Sequence, residues 1–83
     1  MATQIREQIK VIAVFGENRK LKPLKFFWKN REYNVKSVTY AWSSRKGNNT
    51  IYHFAVTDGS NLYELAYDSE KLIWSVESVE CGL

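Results

Sequence analysis

One cysteine, one proline, one histidine and four glycines among 83 residues leave little material for several kinds of chemistry. The lone Cys81 excludes an internal disulfide and suits a reducing compartment. The lone His53 has no cysteine or second histidine at ligand spacing, which excludes the familiar zinc patterns and favours a structural role. The longest apolar run, "VIAVF" at Val11 to Phe15, is too short for a signal-peptide core or a membrane-spanning helix. The closing "CGL" lacks a prenylation pattern, and "GENRK" at Gly16 to Lys20 lacks the glycines of a phosphate loop. Repeats and low-complexity linkers are also missing. The expectation is a complete cytoplasmic protein that is not an enzyme, with no metal, cofactor, small-molecule substrate or membrane.

Aromatic and β-branched residues are abundant. Four Phe, three Trp and five Tyr, within a hydrophobic content of 45%, suffice for one compact core. From Val35 to Val79 these residues dominate, which favours strands. We expect one β domain over 1–83, with mobile ends at 1–7 and 80–83 and a weak helical-turn signal in "MATQIRE". Strand signals recur at short spacing: 8–15, 24–29, 32–44, 50–57, 61–68 and 71–79.

A single pairing scheme puts the large apolar residues on one face. A turn at Asn30-Arg31 sets Trp28 opposite Tyr33 and Phe26 opposite Val35. A turn at Gly59-Ser60 sets Val56 opposite Tyr63, Phe54 opposite Leu65 and Tyr52 opposite Tyr67. A turn at Ser69-Glu70 sets Leu65 opposite Trp74 and Tyr63 opposite Val76. A five-residue loop, "RKGNN", sets Trp42, Tyr40 and Val38 opposite Tyr52, Phe54 and Val56. Tyr33 and Val35 then fall out of phase with Val38, Tyr40 and Trp42, which predicts a β-bulge at Lys36-Ser37. The expected fold is all-β: a small antiparallel meander of five or six strands, curled into an SH3-like or OB-like barrel. The strand at 8–15 pairs with the next one or closes the barrel.

Charge is unevenly spread. Between Glu17 and Lys46 stand Arg19, Lys20, Lys22, Lys25, Lys29, Arg31, Lys36, Arg45 and Lys46, against Glu17 and Glu32. From Gly47 onward Asp58, Glu64, Asp68, Glu70, Glu77 and Glu80 face only Lys71. A basic middle suits a polyanion, self-association, or neutralisation by the acidic strands. With Phe26, Trp28 and Tyr33 in the core, Phe27 projects outward among Lys25, Lys29, Arg31 and Lys36. That platform can stack a base and meet phosphates, and Arg45 and Lys46 on a hairpin tip add a loop contact. An ordinary solvated face is the plain alternative. A row of mild residues, Ala41, His53, Ala66 and Ile73, suggests instead a covered face and a homodimer. The carboxylates Asp58, Glu64, Asp68 and Glu70 are read as solvating hairpin turns rather than as an acid-base site. The function expected is a non-enzymatic binding module for nucleic acid or another anionic partner. A protein-interaction or homodimerisation module is the second reading.

Pro23, Phe26, Trp28, Lys29, Arg31, Tyr33, Val35, Val38, Trp42, Trp74, Val76 and Glu77 form a pattern. It resembles that of a family of small bacterial domains of unknown function: Pro, Phe-x-Trp-basic-x-Arg-x-Tyr-x-Val, Trp, then Trp-x-Val-Glu. The commoner turn in that family has glycine where this chain has Asn30, and Ser43 to Asp68 departs from its pattern. The resemblance implies a bacterial source, and the family has no assigned catalytic residues to carry over. Members encoded near DNA-repair polymerases make it point toward nucleic acid.

Overall fold

A computed structural model describes residues 2–17 and 20–81. Arg19 of the basic middle and residues 82–83 of the expected mobile end lie outside the described residues. The chain forms seven strands: β1 (Ala2–Phe15), β2 (Leu21–Trp28), β3 (Arg31–Asn34), β4 (Ser37–Lys46), β5 (Asn49–Thr57), β6 (Asn61–Asp68) and β7 (Ile73–Cys81). They make one antiparallel sheet in the order β3-β2-β1-β7-β6-β5-β4. The all-β meander is therefore present, as two runs of hairpins joined through β1 and β7. Residues 2–7, with their weak helical signal, are strand, because Ala2 to Gln4 and then Glu7 pair along β7. Among the described residues no helix is long and apolar enough to cross a membrane.

β3 and β4 are opposite edges of the sheet, yet only Val35 and Lys36 separate them. A two-residue link spans about 10 Å at most, so the sheet must curl until its edges approach at that corner. The Val35 amide donates to the Leu24 carbonyl (2.9 Å) and the Lys36 amide to the Thr57 carbonyl (2.8 Å), tying the link to both halves. No ladder joins β3 to β4 among the described residues, so the expected barrel is not closed. The phase break expected as a bulge at Lys36-Ser37 is this corner. The long shared strand is β1, whose Ala2 to Ile9 pairs with β7 and whose Lys10 to Phe15 pairs with β2.

The registers follow from the turns. β5 and β6 pair as the sequence predicts, with Val56 opposite Tyr63, Phe54 opposite Leu65 and Tyr52 opposite Tyr67. β2 and β3 turn one residue earlier than expected, at Lys29-Asn30, with φ of 52° and 60°. Positive φ at both central positions is the type I′ geometry that matches strand twist. The shift moves the pairing by two residues, so Phe26 meets Tyr33 and keeps its face. β6 and β7 shift by two as far as Leu65, with Tyr67 opposite Trp74 and Leu65 opposite Val76, and a bulge between Glu64 and Leu65 then sets Tyr63 opposite Val79 instead of the expected Val76.

The β4–β5 pairing overturns an expectation. The loop is a two-residue turn, Gly47-Asn48, with Lys46 opposite Asn49. From Tyr40 onward the register runs one residue off the predicted one, and a bulge between Val38 and Tyr40 absorbs the difference. A one-residue slip exchanges faces. Tyr40 and Trp42, expected in the core, are therefore outside, and Ala41 and Ser43 face inward.

The core is Phe26, Phe54, Val56, Tyr63, Leu65, Val76 and Val79, flanked by Ile9, Val11, Trp28, Tyr33 and Trp74 among others. Burying each large apolar side chain contributes roughly 1.5–3 kcal/mol. Phe26 stacks on Tyr33 (4.9 Å between centroids) and meets Tyr63 edge-on (5.1 Å). The buried Tyr63 hydroxyl donates to Asp58 Oδ2 (3.1 Å) and accepts from Asn61 Nδ2 (3.2 Å).

Candidate functional site

Where the sheet edges diverge, a groove of about 660 Å³ remains. β1 and β2 supply Phe15 and Leu21, which pair across their ladder, and Lys20 precedes them. The other wall is Ala41, Trp42 and Ser43 of β4 with Tyr52 and Phe54 of β5 and Tyr67 of β6. Ala41 is opposite Phe54, Ser43 opposite Tyr52, and Tyr52 opposite Tyr67, so the register itself assembles this wall. Trp74 backs it, 4.9 Å from Tyr67 and 5.7 Å from Phe54. Phe15 remains 72% and Tyr52 41% exposed. Among the described residues, Lys20 is in the lining and no carboxylate is. Arg45, two residues beyond Ser43 on β4, projects from the same face. The groove can hold flat or apolar groups against aromatic rings while cations attract an anion.

The expected basic platform is dispersed. Lys25 and Phe27 share the outward face of β2, opposite Asn34 and Glu32. Lys25 Nζ lies 3.2 Å from Glu32 Oε2, which neutralises part of the patch. Arg31 pairs with Trp28 and shares its face rather than that of Phe27. Lys29 occupies the turn, with Nζ 4.9 Å from the Trp28 ring centroid. The Lys36 stem runs along the β5–β6 hairpin, where a Cβ on Gly59 would lie 3.5 Å from its Cδ. Arg45 and Lys46 belong to the opposite edge of the sheet. An open hollow of about 730 Å³ gathers only Phe27, Lys29 and Arg31 of this set, with Lys10 and Trp28.

The expected interface row is also rearranged. Across the outer face the row reads Trp42, His53, Ala66, Ser75. Ala41 faces the groove instead, and Ile73 lies in the next row, opposite Asp68. Tyr40 and Trp42 stack at 5.4 Å, and Trp42 lies parallel to the His53 ring at 5.0 Å and 6°. Ser44 Oγ is 2.8 Å from His53 Nε2, and Glu64 Oε2 is 3.5 Å from the buried His53 Nδ1. The sequence Ser–His–Glu has the order of a nucleophile, a base and an orienting acid. It lies on an open sheet face, and none of the cavities described here is lined by Ser44 or His53. The chain orients His53 as a cross-strand polar network. One signal in the sequence would have revealed this face: a two-residue Gly47-Asn48 turn by itself sets Trp42 opposite His53.

The hairpin carboxylates organise backbone. Asp58 Oδ1 accepts from the amides of Ser60 and Asn61 (2.9 Å each), and Asp68 Oδ1 from those of Glu70 and Lys71 (3.0 Å each) and from Asn49 Nδ2 (2.8 Å). Burial works to raise the Asp58 pKa, but the Asn61 and Ser60 amides and the Tyr63 hydroxyl together hold it below the usual aspartate value. The Lys71 amide, then Asn49, lower that of Asp68. Burial pushes the Tyr63 phenol up. Among the described residues no group of three or more His, Cys, Asp or Glu is placed to hold a metal ion.

In comparisons with known proteins, no family model, no curated protein and no solved structure matches this chain. The functional reading therefore rests on its own geometry.

Proposed function

We propose that the protein is a non-enzymatic interaction module that takes an extended segment of a partner chain in the groove between β2 and β4. One observation carries this reading: the groove lies between two stretches of strand edge that lack a neighbour. Among the described residues β3 pairs only with Lys25 to Trp28, leaving the earlier half of β2 without a ladder partner on that side, and β4 pairs only with β5. Aromatic side chains line the space between them. Closing this gap with a bound segment would complete an SH3-like or OB-like barrel. With its lone cysteine and short apolar runs, the module belongs in the cytoplasm, and its resemblance to bacterial domains suggests its source.

A second reading keeps nucleic acid as the occupant. Phe15, Tyr52 and Tyr67 near Lys20 and Arg45 offer stacking surfaces beside cations, the combination that holds single strands. Both readings are tested by titrating a twelve-nucleotide oligo-dT strand, a duplex and extended peptides at low and moderate salt. The variants are Phe15→Ala/Tyr52→Ala in the groove and Lys25→Glu/Lys29→Glu on the outer patch. Peptide binding lost only in the groove variant supports the interaction module. Salt-sensitive oligonucleotide binding lost in the outer variant moves the site to the Lys25–Phe27 face. Binding of neither class ends both readings.

A further inference from the structure

We infer that β4 accepts, by strand addition along its free edge, an extended peptide that carries carboxylates at the end beside Arg45 and Lys46. The inference rests on the interaction-module reading and specifies its partner. β4 is a sheet edge of ten residues and carries no proline. Its only irregularity is the bulge between Val38 and Tyr40, so Tyr40 to Lys46 is a regular run. Seven residues span about 23 Å, enough for a short peptide to pair with. Unpaired amides and carbonyls on such an edge are a ready template for another strand.

Charge selects the partner. Ser37 to Lys46 contains no acidic residue, and Arg45 and Lys46 end it. Lys20 stands across the groove from it. A peptide with carboxylates at one end meets Arg45 and Lys46 at the open end of β4, with Lys20 across the groove. A second copy of β4 does not suit this edge. Parallel pairing would set the copy's Arg45 and Lys46 beside their counterparts, and antiparallel pairing about Trp42 would set them opposite Thr39 and Val38, with no carboxylate to meet them in either case.

The two faces of β4 select the middle of the peptide. On the inner side Ala41 and Ser43 are small and leave space above Tyr52 and Phe54. On the outer side Tyr40 and Trp42 form a stacked shelf. An added strand would send alternate side chains into the groove, toward Phe15 and Leu21, and onto the shelf. The middle is therefore apolar on the groove side and tolerant of short polar or β-branched residues on the other.

The test is an NMR titration of the full chain with acetyl-Glu-Asp-Val-Thr-Ile-Thr-Val-Glu-Asp-amide. Companion probes replace the acids by Lys or by Gln, and two more carry N-methyl groups on alternate backbone amides. We expect micromolar binding, slowed amide exchange within Tyr40 to Lys46, and at least tenfold weaker binding of the Lys probe. One N-methylated probe should lose binding and the other keep it, because only alternate amides face β4. Arg45→Glu/Lys46→Glu, checked for an unchanged melting temperature, should weaken the acidic probe at least tenfold. Equal affinity of the acidic, Gln and Lys probes, with exchange slowed in β4, would overturn the charge selection and leave the interaction module standing. No binding of any peptide would overturn both, and oligo-dT binding in the same groove would replace them with the nucleic-acid reading. Concentration-dependent doubling of mass with β4 protected would also overturn the inference, since a second copy would then own the edge.

Discussion

The two ends of this curled sheet are built from the same kinds of residue and end differently. At the closed end Phe26, Trp28, Tyr33 and Tyr63 pack on one another, and Tyr63 finds Asp58 for its hydroxyl. At the open end Phe15 and Tyr52 line a groove and stay partly or largely exposed. The cause is the length of β3, which covers Lys25 to Trp28 and stops at Asn34. Where a third strand backs the ring, aromatic residues stabilise the fold. Where none does, the same residues are available to a partner.

That contrast breaks most readily at the closed end. Phe26→Ala should cost about 3–5 kcal/mol, a large share of the stability of so small a domain. Tyr52→Ala should stay within about 0.5 kcal/mol, because its side chain is already half in water. Urea unfolding of both variants measures the difference, and equal losses would mean that the groove is part of the core.

Asp58→Ala comes next, at about 1–3 kcal/mol, since it leaves the buried Tyr63 hydroxyl and two turn amides short of an acceptor. The same carboxylate sets a pH dependence. Asp58 and Asp68 have folded-state pKa values below the ordinary one, so they bind fewer protons folded than unfolded. Their contribution is full above about pH 4 and is lost as pH falls from there through the lowered folded values. Thermal unfolding between pH 6 and 2 should show that loss, and Asp58→Ala should flatten it.

Two smaller changes sharpen the corners of the sheet. Lys29 and Asn30 hold positive φ in the type I′ turn, where Asn-Gly is preferred. Lys29→Asn/Asn30→Gly should gain about 1 kcal/mol and raise the melting temperature by about 4–8 °C. Leu72 holds φ 58° in the β6–β7 loop with 71% of its surface exposed. Leu72→Gly should gain about 0.5 kcal/mol, the relief of left-handed strain less the entropy of glycine in the unfolded chain. A loss in melting temperature for either variant would show that those side chains hold the turns.

Much of the fold was legible along the chain. Phe54, Val56, Tyr63 and Leu65 alternate cleanly, and their pairing followed from Gly59 and the apolar pattern. The β2–β3 pairing and the first half of β6–β7 were displaced by two residues without harm, because an even shift preserves the face, whereas the bulge at Glu64-Leu65 slips Tyr63 by three and brings Val79 into the core. Reading "RKGNN" as a five-residue loop moved β4 by one residue and put Tyr40, Trp42 and Ala41 on the wrong faces. The candidate site was less legible still. Phe15 and Leu21 carry no spacing signal that marks them as a pair, and Lys25, Arg31 and Arg45, close in the basic middle of the chain, lie on different faces and edges.

The amino-acid sequence by itself determined the class of the protein: alternation of large apolar residues with polar ones makes strands, and glycine and asparagine place most of the turns. These are local properties, set by sterics within a few residues. Only the tertiary structure decided that β3 and β4 would become opposite edges, that a bulge at Val38–Tyr40 would turn Trp42 outward, and that a groove would remain between β2 and β4. Each of those depends on which strands meet after the sheet curls, and contacts between residues far apart in the chain are settled by the packing of the whole sheet.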